Sequence, residues 1–267
     1  MSEAQKVIKY LAIAFAVFLI INIFSAMFYG LNSLSNIFDE EKSITNELKD
    51  VDINSSVSIL SIDVTTTNLI IKTGDVLNIE TDNDDIKVRQ DNNKIYIEEN
   101  TNWFKFNNDS NLLITVPSSL VFAGVAVDTG AGKLDINNLT TDNLYLDLGA
   151  GKANINNMTV NKVAEIDGGA GEINIKTSVI NNLDMDMGVG KVYLNAQLLG
   201  NNEIDSGVGK VDIDLIGTIN DYKITLDKGI GETIIDGKSI VSGTYGSGAS
   251  KISIDGGVGN INVSLDK

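Results

Sequence analysis

An aspartate leads each copy of a phrase that recurs seven times: DTGAGKLDI at Asp128, DLGAGKANI at Asp147, DGGAGEINI at Asp167, DMGVGKVYL at Asp186, DSGVGKVDI at Asp205, DKGIGETII at Asp227 and DGGVGNINV at Asp255. Carboxylates are hard oxygen donors, so a regular series of them is a candidate Ca²⁺ ligand set. They can equally cap backbone amides in the turn that follows, or pair with the nearby Lys133, Lys152, Lys191 and Lys210. A third use is an acidic face for a basic partner. Two carboxylates can also work as a glycosidase pair, but such a pair stands out by its environment, whereas these recur in every repeat as scaffold does.

Other chemistry is largely excluded by composition. The 267 residues include no His and no Cys, which removes Ser-His-Asp and Cys-His catalysis, zinc and haem sites, and disulfides. Arg89 is the one arginine, so bidentate clamps on phosphate or carboxylate are missing as well. With 20 Lys+Arg against 36 Asp+Glu the net charge is -16, which argues against nucleic acid as a partner. No cofactor is expected beyond Ca²⁺ on the aspartate series.

The elements that must position the aspartates follow from periodicity. Successive Asp positions lie 19, 20, 19, 19, 22 and 28 residues apart, and a period near 20 signals a solenoid whose repeats bury a core only by stacking. Within a repeat the apolar period is 2: Leu144, Leu146 and Leu148 alternate with Tyr145 and Asp147, as Leu183, Met185 and Met187 do with Asp184 and Asp186. These are half-buried strands with the aspartates on the outer side. Of the 25 glycines, 22 follow residue 127, at places where a strand must bend. The residue between the corner glycines (Ala131, Ala150, Ala170, Val189, Val208, Ile230 or Val258) is expected to point inward. Asn137-Asn138, Asn156-Asn157, Asn181-Asn182 and Asn201-Asn202 are expected at a second bend, hydrogen-bonded along the stack.

Residues 51–127 show the same alternation without the glycine phrase and read as the first, irregular coils with a cap, to which Asp82 to Asp85 and Asp91 to Lys94 belong, and Trp103 is either part of that cap or an exposed contact residue. The widest gap holds Gly243 to Gly248, a degraded corner or a protruding loop. Upstream, Tyr10 to Tyr29 is interrupted only by Asn22 and Ser25, and as a helix it would span roughly 30 Å, a hydrocarbon core. The flanks are Lys6 and Lys9 before and Asp39, Glu40 and Glu41 after, which predicts a cytoplasmic N-terminus and an exterior bulk. The expected organisation is a cytoplasmic start (1–9), a transmembrane signal anchor (10–30), a stalk (31–50), irregular coils (51–127) and regular glycine-cornered coils (128–267). The fold class is all-β, a single-stranded β-solenoid (β-helix) of about 20-residue coils preceded by one transmembrane helix.

The span, the β-rich lead-in, the segment LLITVPSSL (Leu112 to Leu120) and the reiterated strands with G-x-G corners together resemble the bacterial DUF4097 family of adhesin-like proteins, over about residues 51–267. The resemblance implies a single-stranded β-solenoid displayed at the cell envelope, with no established catalytic residues. This chain departs from it in placing a regular Asp where relatives have Ser or Thr before the corner glycine. The phrase DGGAGEINI is also similar to calcium-binding nonapeptide β-rolls, whose period is about 9 and whose consensus has Asp after the second glycine. Here four copies hold Lys in that slot.

The expected function is that of a non-enzymatic, membrane-anchored surface protein that binds an envelope polymer, a host surface or a protein ligand. The alternative is an envelope-stress sensor that binds cationic peptides or wall ligands and acts on membrane partners.

Overall fold

The computed structural model describes residues 49–50, 57–100 and 110–265, all within the second of the two units into which the chain divides, Lys42–Lys267. Every element in it is a strand. Nine coils stack in parallel register, numbered here along the stack. Coil 1 is Lys94–Glu99 with Asn111–Pro117, and coil 2 is Ile59–Val64 with Asn68–Gly74. Coils 3 to 7 are Gly124–Asn137, Thr140–Asn156, Thr159–Asn181, Leu183–Leu199 and Asn201–Leu215. Coil 8 is Ser250–Leu265, and coil 9 is Tyr222–Asp227 with Thr233–Ile235. An all-β solenoid is thus what the period-2 pattern builds. The segments 1–48, 51–56, 101–109 and 266–267 lie outside the described residues, and with them the expected anchor, the stalk up to residue 48 and Trp103; the last two stalk residues, Lys49–Asp50, form a strand antiparallel to Thr81 and Glu80. Among the described residues no helix is long and apolar enough to cross a membrane.

Each regular coil has three runs. Face A precedes the glycine corner, face B follows it, and a short face C leads to the next coil, as in Ser178–Asn181 against Ala196–Leu199. Alternation sends every second side chain of faces A and B into the tube, and parallel register stacks them. On face A the inner row is Ile97, Ile62, Val127, Leu146, Ile166, Met185, Ile204, Ile254 and Leu226. Opposite them on face B stand Ile71, Ile136, Ile155, Ile175, Leu194, Ile213, Val263 and Ile235. All these residues are buried. Burying one such aliphatic side chain is worth about 1.5–3 kcal/mol, so the two rows are the main cohesive force.

The corner glycines answer to crowding as much as to turning. Gly171 has φ +150°, and a Cβ there would fall on the carbonyl oxygen of Gly151 in the coil beneath. The residue between the glycines does not point inward as expected. Val258 is 49% exposed and Ile230 is 75% exposed, while the inner wall at the corner is filled by the residue before the first glycine, such as Thr129 and Met187. Met187 reaches into the space left by Gly168 one coil below. The asparagines fall at two bends, not one. Asn138 and Asn157 take positive φ (58° and 55°) between faces B and C, and the Asn157 amide donates to Asn138. Asn182 (φ 49°) turns the chain between faces C and A, where the Leu183 amide donates to Asn202 Oδ1 at 3.0 Å. Asn adopts this left-handed region more readily than other side-chain-bearing residues.

Stack order and sequence order part company at both ends. Coil 2 lies between coils 1 and 3 although it comes first in sequence. Coil 8 lies between coils 7 and 9 although it comes after both. Antiparallel strands then close the outer edges. Ile86–Asp91 and Asn78–Thr81 cover coil 1, and Gly243–Tyr245 and Lys238–Ser239 cover coil 9. The widest sequence gap is therefore an edge closure, which blocks further parallel pairing. Coil 2 has no glycine corner. It turns at Thr65, Thr66 and Thr67, whose backbone amides donate to Glu99 Oε2 at 2.6, 3.0 and 3.3 Å.

Candidate functional site: the outer rows of face A

Parallel register converts the aspartate phrase into a column. Asp128, Asp147, Asp167, Asp186, Asp205, Asp255 and Asp227 follow one another in adjacent coils in that order. The column extends further than the phrase reveals, because Asp63 pairs with Asp128 and Glu98 pairs with Asp63. Nine carboxylates thus stand in one row. Two residues earlier in each strand a second outward row reads Tyr96, Ser61, Ala126, Tyr145, Glu165, Asp184, Glu203, Ser253 and Thr225. Its acidic stretch at Glu165, Asp184 and Glu203 lies beside Asp167, Asp186 and Asp205.

Neither corner capping nor lysine pairing is what the column does here. Among the described residues, none donates a hydrogen bond or forms an ion pair with Asp128, Asp147, Asp167, Asp186, Asp205 or Asp255. The corner amides are engaged with the neighbouring coil instead, as when Ala131 N donates to Thr65 O at 2.6 Å. The lysines turn to face B: Lys133 pairs with Asp135 at 3.1 Å, Lys152 with Glu172 at 3.6 Å and Lys210 with Asp212 at 2.6 Å. Asp227 alone in the column gains a partner, the hydroxyl of Ser242 at 3.1 Å. Nor do three acidic side chains converge into a cage for an ion anywhere among the described residues.

Face B makes the contrast plain, since its outer rows are tied to one another. Asn154 donates to Asp135 at 2.8 Å, Asn174 to Asn154 at 3.1 Å, Asn156 to Asn137 at 3.1 Å, and Tyr193 to Asp214 at 2.8 Å. From coil 2 to coil 8 the outer rows of face A make no such ties among the described residues, partners appearing only at the ends, where Arg89 and Lys94 lie over Tyr96 and Thr244 and Ser242 meet Thr225 and Asp227, and the face carries two shallow concavities. One, of about 310 Å³, opens where Ala126 lies between Ser61 and the exposed ring of Tyr145, with Asp63, Asp128, Asp147 and Asp167 along its side. The other, of about 600 Å³, is lined by Asp184 and Glu203 together with Lys223 and Lys251, which neighbour each other across coils 8 and 9.

The column repels itself. At a coil spacing of about 4.8 Å, two unit charges in water oppose each other by roughly 0.9 kcal/mol. Partial burial, and then the charges of Asp147 and Asp63, push the Asp128 carboxyl above the usual aspartate range. Burial followed by Asp186, Asp147 and Asp184 does the same to Asp167. For Asp205 burial comes first, then Glu203 and Asp186. The stability these three contribute is fully present below the unfolded aspartate pKa of about 3.9 and is lost as pH rises through their raised folded values.

Three other carboxyls run the opposite way. Burial opposes the shift at Glu99, but amides of Thr66, Thr65 and Thr67 outweigh it and hold the group low. Asp142 is lowered by a hydrogen bond from Lys162, and Asp221 by the Thr218 amide. Their contribution disappears as pH falls through those lowered values. At low salt the melting temperature is therefore expected to climb by a few degrees as pH falls from neutral through the raised values of Asp128, Asp167 and Asp205 toward about 3.9, and to drop on further acidification through the lowered values of Glu99, Asp142 and Asp221. A steady fall on acidification from neutral pH would contradict this account of the column.

Several solved structures are similar to the chain. A "putative adhesin" of Bacteroides fragilis is 19% identical, the likeness covering 81% of this chain and 96% of that one at a TM-score of 0.49. A "putative cell adhesion protein" of Clostridium sporogenes is 15% identical, covering 82% and 99% at a TM-score of 0.37. A "putative lipid binding protein" of Parabacteroides distasonis is 12% identical, covering 81% and 97% at 0.36. No protein of curated function matches. The pattern that defines the family described as Toastrack DUF4097 runs along residues 57–255, from the first strand of coil 2 into coil 8, and the chain belongs to that family.

Proposed function

We propose that this chain is a non-enzymatic, adhesin-type binding scaffold, tethered to the cell membrane by residues 10–30 with the solenoid outside, and that face A is its docking face. The observation that carries this reading is the difference between the two faces. Side chains of face B are hydrogen-bonded to one another from coil to coil, whereas the two outer rows of face A hold unpartnered groups from Asp63 to Asp255. Repetition at one coil spacing suits a ligand that itself repeats, because each added contact is made at high effective concentration. The charge of the column selects for cationic groups, on an envelope polymer or on a peptide. A stress sensor for cationic peptides would use the same rows, so the two readings differ in downstream partners rather than in recognition.

The test is binding of fluorescent oligolysine by the full chain in nanodiscs, across about 20 to 500 mM salt. Binding that weakens by tenfold or more over that range is expected, since exposed charges beyond about 8–10 Å are largely screened at physiological salt. Neutral dextran should not bind. Equal binding at both salt extremes, or none at 20 mM, would overturn the assignment of face A. Adding calcium and then a chelator separates a metal-filled column from a free one, because a bound ion would raise the melting temperature and block oligolysine.

A further inference from the structure

Coil 8 is held between two coils that match each other. Through it, Ile204 is aligned with Leu226, Asp205 with Asp227, Val208 with Ile230, Gly209 with Gly231, and Ile213 with Ile235. Inner apolar residues, column aspartates and corner glycines of coils 7 and 9 thus coincide position by position. The backbone that crowds Gly231 is the Gly259 carbonyl, and Gly209 would present the same carbonyl in its place. In the inner row, the column and the corner glycines, coil 9 fits coil 7 as it fits coil 8; a contact that favours coil 8 is Asn260 Oδ1, which accepts from the Glu232 amide at 3.3 Å where coil 7 has Lys210.

The connection allows either neighbour. Five residues, Ala196 to Gly200, lead from face B of coil 6 to face A of coil 7, an advance of one coil. The six residues Ile216 to Asp221 lead from coil 7 to coil 9, an advance of two. A segment that reaches across two spacings has ample length for one. On the other side of coil 9, Gly246-Ser247-Gly248-Ala249 joins the edge strand Gly243–Tyr245 to coil 8, and Gly246 there adopts φ +75°. That link has two glycines and no bulky side chain, and it is held by backbone hydrogen bonds alone, from Gly248 N to Tyr222 O at 2.9 Å and from Ser250 N to Asp221 O at 3.2 Å, which withdrawal would break.

We infer that the C-terminal end of the solenoid has two closed arrangements: one with residues 250–265 inserted between coils 7 and 9, and one with that strand withdrawn and coil 9 paired directly with coil 7. The inserted arrangement is favoured because it buries Ile252, Ile254, Ile261 and Val263. The withdrawn arrangement remains closed, because coil 9 keeps its antiparallel edge strands Gly243–Tyr245 and Lys238–Ser239 as it moves. Withdrawal is then a local opening rather than global unfolding. It frees a 16-residue strand with both edges unpaired.

The chain has no cysteine, so an introduced pair is unique. Glu203 and Thr225 both neighbour Ser253, one from each side. In the inserted arrangement they are therefore about two coil spacings apart, roughly 9.6 Å, too far for a disulfide; after withdrawal they are roughly 4.8 Å apart, within bonding range. The full chain carrying E203C and T225C is incubated with a mild oxidant, and disulfide formation is timed against global unfolding measured on the same chain. Trapping at least tenfold faster than global unfolding is the expected result. Trapping no faster than global unfolding overturns the inference. The pair E203C and S253C reports the inserted state and should close at once. A chain ending at Ala249 with E203C and T225C should close as readily and still unfold cooperatively. If that chain is folded and does not close, the second arrangement is refuted; if it does not fold, the kinetics of the full chain decide alone.

Discussion

Gly171→Ala is expected to cost at least about 4 kcal/mol, most of the stability of an ordinary domain, or to prevent folding. Two causes act together. The backbone at φ +150° lies in a region that side-chain-bearing residues rarely occupy, a strain of about 1–3 kcal/mol. The added methyl also meets the carbonyl, carbon and nitrogen of Gly151, all backbone atoms locked in the parallel ladder. No flexible side chain stands there to move aside. Gly124→Ala is the control, since a Cβ at that position meets nothing within 4 Å. Where the native φ suits alanine, such a change stabilises by about 0.4–1 kcal/mol through the unfolded chain. Denaturant unfolding of both variants decides: a Gly171→Ala protein within about 1 kcal/mol of the parent would remove steric crowding as the reason for the corner glycines.

The triple change Asp167→Asn, Asp186→Asn and Asp205→Asn carries the second large effect, and its direction is the reverse of most substitutions. It deletes four neighbour repulsions, those of Asp147 with Asp167, Asp167 with Asp186, Asp186 with Asp205 and Asp205 with Asp255. At roughly 0.9 kcal/mol each in water, and about half that after screening at physiological salt, the gain is about 2 kcal/mol. Asparagine preserves the shape and can hydrogen-bond along the stack, as Asn156 does to Asn137 on face B. A melting temperature several degrees higher is expected together with at least a tenfold loss of oligolysine binding. Stability sacrificed at a functional surface is a familiar trade. A variant that melts no higher than the parent would mean that the column is neutralised by some other means, and unaltered oligolysine binding would release it from the docking role.

The sequence is legible wherever a single coil determines the outcome. The alternation of Leu144 and Leu146 with Tyr145 and Asp147 settles which side chains enter the tube, because a β-strand has only two faces. The near-equal spacing from Asp128 to Asp205 settles the alignment of those five, but not the order of Asp227 and Asp255. What stays hidden depends on more than one coil. Asp63 and Glu98 join the column through pairing alone, since their strands lack the glycine phrase that marks the others. The outward stance of Val258 and Ile230 belongs to a corner whose inner wall is filled by the residue before the first glycine, as Thr129 and Met187 show, and alternation along a straight strand does not foretell it. The exchange of coils 8 and 9 is invisible for the strongest reason. Repeats that fit any neighbour equally well carry no instruction about which neighbour to take, and the choice passes to total burial at the end of the stack. The partners of the lysines depend on the corner, which turns Lys133, Lys152 and Lys210 onto face B beside Asp135, Glu172 and Asp212.

Tucking the outermost sequence segments inside the stack changes how the protein bears tension. A pull on the chain ahead of residue 49 first meets the two-residue pairing of Lys49–Asp50 with Thr81 and Glu80, and once that parts it enters at coil 2, which coil 1 flanks on one side and coil 3 on the other. To extract it, two ladders must slide lengthwise at once, loading many hydrogen bonds in parallel. Were coil 2 at the rim, the same pull would peel one ladder open bond by bond. The far end is built alike, with Ser250–Leu265 clasped by coils 7 and 9. Beyond the short contact of Lys49–Asp50 with the rim strand, the load is received by coils gripped from two sides, while the rims serve chiefly to close the ends.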